Sequence, residues 1–145
     1  MKKLNFSTQI IASKERVWST LWDNATYRQW TAVFHEGSYA ESDWQEGSKI
    51  LFLGPGGSGM TSRIARLIPN EFMSFQHLGE IKNGVEDFTS SEAQGWAGAL
   101  ENYTLKKVGD ATELSVEMDA DGEFENMFKD IFPKALAKLK ELSEQ

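Results

Sequence analysis

The fold is constrained most by residues 10–23, where an apolar strand pattern changes within a few positions into the pattern of an amphipathic helix. The strand pattern ends at Ala12, and Ser13 follows as a residue type that commonly caps helices. Helical spacing then gives the predicted helix one apolar stripe: Val17, Trp18, Leu21 and Trp22. A second short helix, ending near Trp30, is predicted directly after it. The sequence therefore predicts a strand followed at once by two short helices.

Strand-like segments occupy most of the chain beyond these helices. With the first strand included, their ranges are 4–12, 39–42, 49–53, 61–68, 72–78, 100–108 and 112–118. Residues 79–98 are polar and interrupted, and we interpret them as a loop that contains a short strand around 85–89. Apolar residues recur with helical period from Phe124 to Leu142, which predicts a long C-terminal helix.

Pro133 falls inside this helical pattern. Proline lacks the amide that would bond the carbonyl of Lys129, and its ring crowds that carbonyl. Asp130 is suited to cap a new helix beginning at Ile131. We therefore predict a kink or break between Lys129 and Pro133, with the Phe- and Met-rich first half acting as a movable cover.

Composition narrows the classes of protein to which the chain can belong. Its 145 residues, without repeats or linker-like tracts, predict a single domain over 1–145. The net charge of -7 repels phosphate backbones and anionic lipid, so we expect neither a nucleic-acid nor a membrane partner. The absence of cysteine excludes disulfides, thiolate nucleophiles and zinc–thiolate sites. With no signal-like or membrane-spanning apolar run in the sequence, we expect a cytoplasmic protein.

The order of these elements resembles the START-like (SRPBCC, helix-grip) superfamily, in particular its branch of heat-shock-chaperone ATPase activators. Residues 44–52 resemble the family's turn-then-strand segment, residues 64–77 its next hairpin with Pro69 at the turn, and residues 109–114 the start of its last strand. The resemblance implies an α+β helix-grip fold. In that fold a curved antiparallel sheet wraps around a long C-terminal helix, with two short helices after the first strand.

The resemblance also implies a cavity between the helix and the sheet. We expect it to bind a small hydrophobic molecule without catalysis, and we expect neither a cofactor nor a metal. The predicted lining residues are Tyr39, Phe52, Met73, Phe75, His77, Trp96, Tyr103, Met118 and Phe128. Two alternatives stay open: a co-chaperone-like domain that binds a protein partner through an exposed face, and an enzyme resembling polyketide cyclases or aromatases.

His77 is the inward polar residue of greatest interest, because it shares strand parity with Met73 and Phe75. An inward imidazole can donate a hydrogen bond to a ligand or transfer protons near neutral pH. The alternative is a purely structural role, in which the nitrogens of a core imidazole form hydrogen bonds with neighbouring protein groups, and we favour this alternative.

Other polar motifs carry weaker signals. The glycine-rich residues 54–59 lack the following lysine and helix of a phosphate-binding loop, so we interpret them as a hairpin tip that can gate the cavity. His35 and Glu36 have no further metal ligands nearby in sequence. No Gly-x-Ser-x-Gly segment is present to seat a nucleophilic serine.

Glu92 and Glu101 flank Trp96 in sequence, and we interpret both as solvated carboxylates. Three tryptophans of the short helices, Trp18, Trp22 and Trp30, are interpreted as packing anchors rather than ligand contacts.

Overall fold

The computed structural model describes the backbone of residues 1–145 and all side chains except that of Glu123. The strands are β1 (Lys2–Ile10), β2 (Tyr39–Ser42), β3 (Lys49–Leu53), β4 (Gly59–Ile68), β5 (Phe72–Lys82), β6 (Val85–Asp87), β7 (Leu100–Val108) and β8 (Ala111–Ala120). The helices are α1 (Lys14–Trp22), α2 (Asn24–Thr31), α3 (Ser91–Trp96) and α4 (Glu123–Ser143).

The strands form one curved antiparallel sheet in the order β1-β8-β7-β5-β4-β3-β2, and β6 pairs with the far end of β5. The first strand therefore closes onto the last one, in a register from Lys2 opposite Ala120 to Ile10 opposite Thr112. Helix α4 packs across β1 and contacts α1 and α2. This arrangement confirms the predicted α+β helix-grip fold.

The first predicted helix has the capping that its sequence indicates. The Arg16 amide donates a hydrogen bond to Ser13 Oγ at 3.1 Å. The Arg16 guanidinium also donates to the carbonyl oxygens of Leu142 (2.9 Å) and Ser143 (3.3 Å), which lie in the last turn of α4. One residue thus joins the start of α1 to the end of the terminal helix.

The core forms where α4 meets the sheet. The buried apolar residues of the helix are Phe132, Ala135, Leu136, Leu139 and Leu142, and those of the same core on β7 and β8 are Tyr103, Leu105, Leu114, Val116 and Met118. Burying one such large side chain contributes roughly 1.5–3 kcal/mol. The first half of α4 differs, because Phe124 and Met127 are 39% and 40% exposed. The second half of the helix therefore anchors it.

The predicted break at Pro133 is wrong, because α4 is continuous from Glu123 to Ser143, and a kink at this point stays a prediction. Pro133 is exposed, whereas Phe132 and Ala135 on either side of it are buried. Packing of these neighbours holds the helical path and outweighs the roughly 3 kcal/mol that an interior proline costs.

Residues 79–98 are more ordered than the loop we predicted. Strand β5 continues to Lys82, and Ser90 caps the unpredicted helix α3 by accepting a hydrogen bond from the Ala93 amide at 3.1 Å. Gly79 does not end the strand: a Cβ there would lie 2.5 Å from the carbonyl oxygen of Asp87. The glycine therefore permits the close approach of Asp87, the last residue of β6, and of Phe88 after it.

Candidate functional site

A cavity of about 450 Å³ lies between the sheet and helices α2 and α4, where the sequence predicted one. Its walls are mainly aromatic. The lining residues are Trp22, Tyr27, Trp30, Thr31, Phe34, His35, Ser38, Tyr39, Phe52, Leu53, Gly54, Ser58, Gly59, Met60, Phe75, His77, Glu101, Tyr103, Met118, Met127, Phe128, Ile131 and Phe132.

Seven of the nine predicted lining residues lie on this cavity; Met73 and Trp96 do not. Met73 has the predicted inward parity, but it lies nearer the start of β5 than Phe75 and His77. It pairs with Tyr103 of β7 and is buried in the core. Trp96 lies on α3, and its ring packs against Phe124 at 4.9 Å between centroids. In helix α3, which replaces part of the predicted loop, this indole packs against Phe124 and His77 and does not line the cavity.

His77 points inward, as its strand parity predicted, and it is buried. Its Nδ1 lies 2.7 Å from the hydroxyl of Ser62 on the neighbouring strand β4. Its Nε2 lies 3.1 Å from Glu101 Oε1. Both ring nitrogens therefore have protein partners, which is the arrangement expected for a structural core imidazole.

Glu101 corrects the interpretation of a solvated carboxylate. Its side chain is only 19% exposed, and besides His77 it accepts a hydrogen bond from the Tyr103 hydroxyl. We call Ser62, His77, Glu101 and Tyr103 the His77 cluster. Strand parity could have revealed the position of Glu101, because it precedes the inward residue Tyr103 by two positions on β7.

The cluster shapes the electrostatics of the cavity. Burial raises the pKa of Tyr103 well above its ordinary value, and the negative charge of Glu101 raises it further. Burial, with a smaller contribution from Glu101, likewise raises the pKa of Tyr27. Both phenols are therefore neutral at physiological pH, and the carboxylate supplies the charge that they sense.

Helices α1 and α2 contribute lining residues that the sequence interpretation missed. Tyr27 and Trp30 on α2, and Phe34 three residues after its end, recur at helical spacing and face the cavity together, a signal that the sequence contains. Trp22 and Trp30 serve as packing anchors, as predicted: Trp22 stands edge-on to Phe75 at 5.3 Å, and Trp30 Nε1 donates to the backbone. They also line the cavity, which the interpretation as anchors alone left out.

The glycine-rich segment forms a short 3-10 turn, Pro55–Gly57, beside the cavity. The Gly84 amide donates to the Gly57 carbonyl and the Asn83 amide to Ser58 Oγ, both at 3.1 Å. The turn is therefore tied to the loop between β5 and β6. Gating by this segment stays a prediction.

Two absences among the described residues concern metal ions and membranes. No group of three or more His, Cys, Asp or Glu side chains among them is arranged to hold a metal ion. None of the helices that they form has both the length and the apolar character needed to cross a bilayer.

The helix-grip sheet with a cavity under its long helix defines a START-like domain. A model of the family described as activator of Hsp90 ATPase homolog 1-like protein matches residues 11–144, so the chain belongs to that family. No curated protein matches the chain.

Solved structures show the same fold at low identity. The Aha1 dimer from Colwellia psychrerythraea is 21% identical, with a TM-score of 0.76 over 99% of this chain and 97% of that one. Protein MLL2253 from Mesorhizobium loti is 14% identical, with a TM-score of 0.74 over 97% and 96%. DynU16, a protein in the dynemicin biosynthetic locus, is 15% identical, with a TM-score of 0.71 over 97% of this chain and 46% of its own.

Proposed function

We propose that the chain binds a small hydrophobic molecule in the cavity between the sheet and α4. The observation that carries this proposal is the void itself, about 450 Å³ with mainly aromatic walls. Ligand pockets of small molecules commonly measure about 300–1,000 Å³ and are mostly apolar with a few polar groups. Each methylene that a ligand buries there contributes about 0.8 kcal/mol.

Two measurements test this proposal. Native mass spectrometry of freshly purified protein should show an added small-molecule mass. Titration with N-phenyl-1-naphthylamine, a neutral apolar dye that fluoresces in dry surroundings, should reach saturation at one dye per chain. Absence of both signals would contradict ligand binding.

A matched pair of variants on α4 locates the binding. Ile131→Trp places a larger side chain into the cavity, so we expect loss of dye binding. Ala137→Trp makes a large substitution at an exposed position of the same helix and should leave dye binding unchanged. Equal dye binding by both variants would place the dye elsewhere on the protein.

A second candidate function is binding and stimulation of an Hsp90-type chaperone, and the match to the family model favours it. Such a partner would contact an exposed face, so Ile131→Trp should stimulate the chaperone's ATPase as the wild type does. An ATPase assay with purified chaperone decides this point, because an unchanged hydrolysis rate on adding the wild-type protein would contradict it.

The cyclase-like or aromatase-like alternative has less support from the geometry. A proton-transferring His77 needs a ring nitrogen directed at a substrate, whereas both nitrogens contact protein groups.

A further inference from the structure

Among the described residues that line the cavity, Glu101 is the one carboxylate, and none is lysine or arginine. The other titratable groups on the wall are His35, His77 and three tyrosines, Tyr27, Tyr39 and Tyr103. His35 is exposed at the rim. With neutral histidines, the fixed charge inside the cavity is therefore negative, and it lies on Glu101.

Arg28 and Lys49 lie on α2 and β3, two elements that contribute lining residues, and both cations have other partners. The Arg28 guanidinium lies over the ring of Tyr39, 5.1 Å from its centre, and its Nε donates to Asn24 Oδ1 at 3.0 Å. Lys49, on β3, pairs with Glu86 at 2.7 Å. Neither side chain lines the cavity, so neither offers a direct partner to an anionic ligand.

Glu101 retains hydrogen-bonding capacity for a ligand. A carboxylate has about four acceptor positions. One is used by His77 Nε2, which must carry the proton because a carboxylate can only accept, and one is used by the Tyr103 hydroxyl. In neutral His77, Nδ1 then accepts from the Ser62 hydroxyl. The His77 cluster thus fixes the carboxylate beside the cavity with acceptor positions left over.

An anion would meet repulsion with little screening in this place. Opposite or like charges interact more strongly in an apolar enclosure than in water. Burial is the main cause of the raised pKa values of Tyr27 and Tyr103, and the charge of Glu101 adds to it in the direction that disfavours a second negative charge nearby. A ligand whose polar end donates a hydrogen bond would be stabilised by the same field.

We propose that the cavity selects neutral or cationic amphiphiles whose polar end donates a hydrogen bond to Glu101, and that it rejects carboxylate amphiphiles such as fatty acids. This inference rests on the proposed function and names its ligand class. The expected ligands carry a hydroxyl, a phenol or a protonated amine on an apolar body.

A matched decyl series tests the selection on the wild-type protein. Decylamine, decanol, methyl decanoate and decanoate compete with N-phenyl-1-naphthylamine at pH 8, where free imidazole is neutral, and below micellar concentrations. We expect the amine and the alcohol to displace the dye at concentrations about tenfold or more below that of decanoate. Methyl decanoate, which lacks both a charge and a hydrogen-bond donor, should displace the dye at concentrations between those of decanol and decanoate. Decanoate equal to or better than decanol overturns the proposal.

A variant pair tests the role of Glu101. Glu101→Gln removes the charge at constant size, so the difference between decylamine and decanoate should shrink to about threefold or less. Glu92→Gln removes the same charge from the exposed face of α3 and should keep the wild-type difference. A difference that persists in a folded Glu101→Gln protein overturns the proposal. If Glu101→Gln does not fold, the wild-type series decides alone.

Failure of the proposed function gives a different result. In that case the dye does not bind and no small molecule co-purifies, so the competition cannot be measured and both proposals are rejected. A dye that binds while decanoate competes best rejects only the selection, as does a fatty acid found by native mass spectrometry.

Discussion

At the scale of single residues, Glu101 organises the polar end of the cavity because its two oxygens contact different side chains. Oε1 faces His77 and Oε2 faces Tyr103, while Ser62 completes the cluster from the neighbouring strand. Satisfied polar groups inside a core give it a unique arrangement, and removing one member leaves the others without partners.

His77→Phe should therefore destabilise the protein. The phenyl ring is somewhat larger than the imidazole and has no ring nitrogen, so it leaves the buried Ser62 hydroxyl without its partner and Glu101 with one donor fewer. We expect the free energy of unfolding to fall by about 1–3 kcal/mol in urea denaturation. The exposed His35 provides the control, because His35→Phe should change stability by less than about 0.5 kcal/mol. Equal effects would mean that the cluster contributes nothing specific.

Tyr27 predicts a loss of stability at alkaline pH. Burial raises its folded-state pKa above the unfolded value near 10, so above pH 10 the unfolded chain releases protons that the folded chain keeps. The stabilisation is complete below pH 10 and declines as the pH rises toward the folded-state pKa. From pH 10 to 11 the wild type should lose about 1 kcal/mol more than Tyr27→Phe. Urea unfolding at both values, with pH 7 to 9 as reference, checks this; equal losses would contradict it.

At the scale of elements, α4 combines a firmly packed second half with an exposed proline. Pro133→Ala restores the amide that can bond the Lys129 carbonyl and removes no buried surface, because Pro133 is exposed. Allowing for the greater freedom of the unfolded chain, we expect stability to rise by about 1–2 kcal/mol. The reverse change nearby, Ala137→Pro, should cost about 3 kcal/mol. Thermal and urea unfolding measure both, and no gain from Pro133→Ala would show that the helix has already absorbed the proline.

The cover that the sequence suggested predicts unequal hydrogen exchange along α4. The first half carries the exposed Phe124 and Met127, whereas Ala135 and Leu139 fix the second half in the core. Amides of the first half should exchange about 100-fold faster or more, since few buried contacts resist local opening. Bound decanol should slow exchange in the first half specifically. Equal protection of the two halves would reject a movable cover even though the helix is continuous.

The elements that could be predicted from sequence are those whose local signals agree with their packing. Ser13 caps α1 as expected, and the ranges of β2 and β3 match because turn residues bound them. Helix α3 could not be predicted, since Gly95 weakens a helical pattern of only six residues. The extension of β5 past Gly79 depends on the close approach of Asp87. This contact involves a residue outside the predicted strand, so the pattern of residues 72–78 gives no sign of it.

Much of the candidate site followed from strand parity alone. Phe75 and His77 point inward because alternation fixes their side of the sheet. Parity does not show how far along a strand the cavity extends, so the predicted lining contains Met73, which lies in the core. The partners of His77 could not be predicted, because they depend on which strands neighbour β5. Sheet order is a property of the whole chain.

At the scale of the whole molecule, ligand binding should appear as stability. A ligand that binds only the folded chain adds about 2.7 kcal/mol at 100 times its dissociation constant. For a domain of this size, that corresponds to a rise of about 5–10 °C in the melting temperature. Decanol should produce this rise in the wild type and in Ala137→Trp but not in Ile131→Trp, whose cavity is filled. A similar rise in all three proteins would mean that the alcohol acts outside the cavity.

The pairing of β1 with β8 governs when a chain leaving the ribosome can fold. Lys2 pairs with Ala120, so β1, the first strand of this sheet in chain order, has no partner until residues 111–120 have left the exit tunnel. Arg16 in turn bonds carbonyls of Leu142 and Ser143, which emerge later still. Contacts between such distant segments carry a high loop-closure entropy and slow folding. The nascent β1 therefore stays unpaired until nearly all the other strands of its sheet have been synthesised.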